Sequence, residues 1–223
     1  MADTLYLSLW YPNLRLAGMA DKLAAVLASF AAHGGDARVY AATVWPVDWS
    51  ETPVFERVWG RMNLAPGPEQ DQKQIQKRGL DPRLAVTEAL ELLHDDFAYE
   101  FQIGWSLWEL EADAAESSVS AAEPRWARVS RLVRVIGYGP LFDNSAYEQE
   151  GHIRIDFGAD APFLAEGADL EAIGAKHIEE NVRQLVGLAG AVEKASGATA
   201  RLLWSELGES LAERLAARLG AGN

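Results

Sequence analysis

His152, Arg154 and Asp156 occupy every second position of one segment, with Ile153, Ile155 and Phe157 on the other phase. In an extended strand this spacing puts an imidazole, a guanidinium and a carboxylate on one side and three apolar side chains on the other. Such a trio could act on a small anionic substrate, with His152 as general base and Arg154 gripping a carboxylate or phosphate. The same pattern also describes ordinary solvated residues on a half-exposed strand. Near the start of the chain, Tyr6, Ser8 and Trp10 alternate with Leu5, Leu7 and Leu9 and fall on the polar side of their own strand. If both strands join one sheet, its open face carries His, Arg, Asp, Tyr and Ser together.

A second candidate is the segment 137–151, rich in Gly and Pro, with Tyr138, Phe142, Asp143, Asn144 and Tyr147. Aromatic rings interleaved with Asp and Asn suit recognition of a ligand or a protein, and loops are where function concentrates. Tyr138 and Phe142 packing the loop against the sheet is the alternative, since aromatics are so often buried. Metal chemistry draws little support. Glu91 and His94 have the Glu-x-x-His spacing of dinuclear bundles, but no second such pair exists, and His177-Ile178-Glu179-Glu180 runs in the wrong order. His33 beside Gly34 suits a helix C-terminus, where an imidazolium favours the dipole. No glycine-rich phosphate loop, nucleophile elbow or zinc-protease motif occurs, and there are no cysteines. No cofactor or metal is expected.

Charge is unevenly spread. Between Arg83 and Arg125 there is no Lys or Arg, yet ten carboxylates: Glu88, Glu91, Asp95, Asp96, Glu100, Glu109, Glu111, Asp113, Glu116 and Glu123. They make up −10 of the formal net charge of −13. Arg125, Arg128, Arg131 and Arg134 follow at a spacing of three. The block either neutralises those arginines across a hairpin or offers an acidic surface, with Glu109 and Glu111 as binding residues, to a basic protein.

The 223 residues, 49% hydrophobic and 24% charged, suit one compact unit over 1–223 with a sizeable core. An acidic pI near 4.7 argues against nucleic acid and against anionic membrane surfaces. The absence of cysteine, of a basic leader and of a long apolar run predicts a soluble, cytoplasmic protein.

Periodicity and punctuation then place the elements. Strands are predicted at 5–10, 38–45, 97–107, 125–136, 152–157 and 200–204 from alternation and β-branched content. Helices are predicted from Asn13 to Gly34, from Thr52-Pro53 onward, from Asp81-Pro82 to about His94, from Asp169 to Gly197, and from Ser205 onward. The polar stretch 65–79 and the Ala, Ser and Glu-rich stretch 112–123 read as connectors. A hairpin of 97–109 with 125–136 has one register that pairs Phe101 with Val135, Ile103 with Val133 and Leu107 with Val129. It also sets Glu111 opposite Arg125, Trp105 opposite Arg131 and Trp108 opposite Arg128.

The ends of the chain echo each other, each reading strand, helix, glycine, strand. The predicted fold is therefore α+β, with a mixed sheet of about six strands in which two βαβ-like units flank a central hairpin. Helices lie mainly on one face, an architecture that resembles ferredoxin-like sandwiches. The pseudo-repeat halves would be 1–60 and 151–223, around a central segment 80–137. The expected function is that of an acidic binding or interaction module, inhibitor-like or immunity-like toward a basic protein, or a binder of a small ligand. The alternative is an enzyme acting through His152, Arg154 and Asp156. A homodimer on the open face fits either.

Overall fold

The computed structural model of the chain describes residues 3–60, 79–110, 126–164, 172–206 and 211–220. Among these residues seven strands form one sheet: β1 Thr4–Trp10, β2 Gly35–Pro46, β3 Phe55–Val58, β4 Phe97–Leu110, β5 Trp126–Tyr138, β6 Ile153–Ala159 and β7 Ala200–Ser205. Their order is β3-β2-β4-β5-β6-β1-β7, and every neighbouring pair is antiparallel. The expected mixed sheet of about six strands is thus corrected to an antiparallel sheet of seven. Six helices accompany it among the described residues: α1 Met19–Ser29, α2 Pro82–Ala89, α3 Ala146–Glu150, α4 Ala161–Leu164, α5 Ala172–Ser196 and α6 Leu211–Gly220.

The βαβ units are not pairs of adjacent parallel strands. The connection through α1 carries the chain from β1 across three strands to β2, whereas α5 carries it from β6 across β1 alone to β7. Strand β1 is the cause, because both of its edges are taken by strands from the far end of the chain.

One face of the sheet meets the helices. Leu5, Leu7 and Leu9 of β1, Phe101, Ile103 and Trp105 of β4, Val133 and Val135 of β5, and Ile153, Ile155 and Phe157 of β6 form one core. Leu23, Leu27 and Phe30 join it from the α1 segment, and Ile178, Val182, Leu185, Leu188 and Val192 from α5. Phe101, Ile103, Leu185 and Leu27 are each fully buried, as their periodicity predicts. On the other face a smaller cluster of Ala98, Ile136, Tyr138 and Phe142 packs with Trp45, Ala146 and Tyr147.

The hairpin β4–β5 has the predicted register, including Phe101↔Val135, Ile103↔Val133, Leu107↔Val129, Trp105↔Arg131 and Trp108↔Arg128. Arg128 lies over the Trp108 ring at 4.9 Å. Arg131 pairs instead with the Glu109 carboxylate (Nη2–Oε2 2.7 Å). The Glu111–Arg125 pair and the 112–123 connector lie outside the described residues. Neutralisation within the block is narrower than expected, since Arg128 pairs with Glu180 of α5 and Arg134 with Asp156 of β6.

Where β4 runs past the first residue of β2, α5 takes over its edge. Asn181 accepts the Trp108 N–H through Oδ1 at 2.9 Å and donates through Nδ2 to the Trp108 and Pro162 carbonyls, both at 2.8 Å. Its amide thus stands in for a neighbouring strand and satisfies backbone groups that an edge would leave open.

Three local expectations are corrected. Residues after Thr52-Pro53 form β3 rather than a helix, because Phe55 packs on the core and 55–58 pair with the free edge of β2. Asn13 has φ 51° and caps nothing; a 3-10 turn at Leu16–Gly18 precedes α1. Helix α2 does open at Asp81, whose carboxylate accepts from the N–H groups of Arg83 and Leu84, but stops at Ala89. The Tyr99 hydroxyl then holds the following turn, donating to the Leu92 carbonyl and accepting from the His94 N–H. Segment 137–151 is also less irregular than predicted, containing the end of β5 and α3.

Candidate functional site

The last residues of β1 and β5 and the first of β6 meet at one end of the sheet. A pocket of about 250 Å³ opens there, lined by Tyr11, Asn13, Leu14, Leu16 and Met19 from the chain leaving β1, Tyr138 and Pro140 from the chain leaving β5, and Tyr147 and His152 before β6. It lies where the two apolar clusters adjoin, since Tyr11 and Met19 belong to the helix-side core and Tyr138 to the smaller one.

His152 is held from several sides. Its Nδ1 accepts the Tyr11 backbone N–H at 2.9 Å, and its carbonyl accepts the Tyr138 N–H at 3.0 Å. Tyr147 stacks on the imidazole, with ring centres 4.9 Å apart and planes at 21°. The preceding Gly151 has φ 95°, and a Cβ there would lie 2.9 Å from the Leu9 nitrogen, so only glycine delivers the chain into this position unstrained. A donor at Nδ1 selects the neutral tautomer with hydrogen on Nε2. Burial pushes the His152 pKa below the ordinary 6.5, which keeps the ring uncharged at neutral pH. Among the described residues the Nε2–H has no protein acceptor. The imidazole is therefore a fixed hydrogen-bond donor at the pocket wall.

Arg154 and Asp156 are on the same side of β6 but outside the pocket lining. Arg154 pairs with Glu150, and its guanidinium lies over the rings of Tyr6 (5.2 Å) and Tyr138 (5.6 Å). Asp156, 3% exposed, pairs with Arg134 and accepts the Gly158 N–H. Tyr6, Asp156, Arg134 and Gln102 line up across four strands, with Ser8, Arg154, Ile136 and Glu100 in the next row. The sheet face is thus cross-braced by ion pairs.

Of the loop residues, Tyr138 and Tyr147 line the pocket. The Tyr138 hydroxyl donates to Glu150 Oε2 at 2.8 Å, and burial raises its pKa far above the ordinary phenol value. Phe142 is fully buried with its edge against Trp49, and Asp143 is half-buried with φ 43°, its N–H given to the Val47 carbonyl. Neither lines the pocket. Glu109 is engaged by Arg131, and Glu111 lies outside the described residues. The stretch from Tyr11 to Met19 was not a sequence candidate. Its one signal was the break at Pro12-Asn13 directly after an alternating strand.

No family model, curated protein or solved structure matches the chain. Among the described residues no group of three or more His, Asp or Glu is placed to hold a metal ion, and no helix is long and apolar enough to cross a membrane.

Proposed function

We propose that the protein binds a small, ring-sized ligand in the pocket beside His152. The observation that carries this reading is a wall in which aromatic and aliphatic side chains alternate with polar ones, among them the rigidly held His152 imidazole, whose Nε2–H has no acceptor among the described residues. Ligand sites are typically apolar concavities with a few placed polar groups. An apolar cavity of roughly 150 Å³ takes up benzene, so about 250 Å³ has room for a ring with a polar substituent. Catalysis through His152, Arg154 and Asp156 draws less support, since the two charged residues are engaged with Glu150 and Arg134.

A titration of the 15N-labelled chain with indole and with acetophenone tests the reading. Shifts centred on Tyr11, Tyr147 and His152 are expected, and they should vanish when Leu16→Trp fills the pocket. Absence of any localised shift at millimolar ring compound would remove the proposal. A second reading, docking of a basic protein, draws on exposed Glu88, Glu91 and Asp95 near exposed Leu84 and Leu92. Capture of such a partner at low ionic strength should weaken as salt shortens the Debye length.

A further inference from the structure

Two of the three tyrosines in the pocket wall already have a cation over the ring. Lys22 Nζ is 5.3 Å from the centre of Tyr11, held there by a 2.6 Å hydrogen bond to the Ser196 carbonyl, and the Arg154 guanidinium is 5.6 Å from that of Tyr138. An aromatic wall attracts a cationic ligand through the negative potential of its ring faces, and a cation already in place weakens that potential. The hydroxyls do not restore it. Tyr138 donates to Glu150, and Tyr11 donates to Ser196 Oγ at 2.9 Å, with burial pushing its pKa up to about 12, so both stay neutral. No carboxylate is among the lining residues, and the basic nitrogen of His152 is occupied by the Tyr11 N–H. The polar groups left to a ligand are the His152 Nε2–H donor, Asn13 and Tyr147. The net charge of −13 attracts cations from a distance. That field is screened beyond roughly 8 Å at physiological salt, so the groups lining the site decide what it accepts.

We infer that the pocket selects planar ring compounds carrying an acceptor oxygen, neutral or anionic, through His152 Nε2–H, and rejects ring compounds bearing a cation. The inference rests on the ligand-binding reading above, and one experiment separates the two. Acetophenone, benzoate, toluene and benzylammonium have similar ring size and differ in the group they present. They are titrated into the full chain at pH 7.5 and about 0.15 M salt, with affinity read from amide shifts and the His152 side chain followed by its 15N resonances. Acetophenone and benzoate should bind about tenfold more tightly than toluene, the worth of one ordinary hydrogen bond, and should move the Nε2 resonance. Benzylammonium should bind more weakly than toluene. In His152→Phe acetophenone should bind no more tightly than toluene does to the same variant, and His152→Gln, which restores an N–H donor, should recover part of the difference. Benzylammonium binding as tightly as benzoate would overturn the charge selectivity, and acetophenone no tighter than toluene in the unsubstituted chain would overturn the donor role. Either result leaves the pocket reading standing, whereas failure of all four compounds to bind removes that reading as well.

Discussion

Folding takes the His152 ring partly out of water, and the imidazolium loses more hydration than the neutral ring does. Its pKa is lowered in the folded chain, so on acidification the unfolded chain binds this proton first. The contribution of the site to stability is therefore fully present above about pH 6.5 and is lost as pH falls from there through the folded value. Thermal midpoints measured from pH 7.5 to 5 should fall, and His152→Gln should flatten part of that decline. A decline unchanged by the substitution would mean that other groups carry it. The side on which His152 projects was legible from alternation with Ile153 and Ile155. The function of its Nδ1 was not, because the donor belongs to Tyr11, 141 residues away in the chain, and contacts of that kind leave no periodic trace.

Among the elements, the hairpin β4–β5 was the most legible. Phe101, Ile103 and Leu107 find β-branched partners, and Trp108 finds Arg128, in a single register, so several weak preferences agree on one answer. Helix α2 and strand β3 show what local signals leave undecided. Both segments have proline after a capping residue, but only Asp81 meets free helical N–H groups, while the chain after Thr52 meets an open strand edge. Phe101→Ala should cost about 3–5 kcal/mol, since it empties a fully buried site in the middle of β4. Asn181→Leu should cost about 2–3 kcal/mol, because it leaves the Trp108 N–H and carbonyl without partners at the edge that α5 covers. Denaturant melts measure both, and a loss below about 1 kcal/mol for Asn181→Leu would mean that water satisfies the edge.

At the level of the whole molecule, the α+β class and the placement of the larger helices on one face followed from local pattern. Strand order did not. Alternation shows which face of β1 is buried but says nothing about its neighbours, and β6 and β7 are chosen by packing among segments far apart in the chain. The net charge is a global property with a measurable effect, since −13 on one chain is self-repulsive. Raising sodium chloride from about 0.02 to 0.3 M at pH 7.5 should raise the thermal midpoint as screening relieves that repulsion. A midpoint that falls with salt would mean that the pairs of Arg134 with Asp156 and Arg154 with Glu150 dominate the electrostatics.

Because β1 is held between β6 and β7, it is made before the other six strands of this sheet yet can complete its pairing only after the last of them. At translation rates of about 5–20 residues per second, residues 4–10 emerge on the order of 10–40 seconds before residues 200–205. Until residues 153–159 are made, Leu5, Leu7 and Leu9 have neither strand partner available, so a nascent chain stopped before residue 153 should leave its N-terminal segment open to proteases and chaperones that the finished protein excludes.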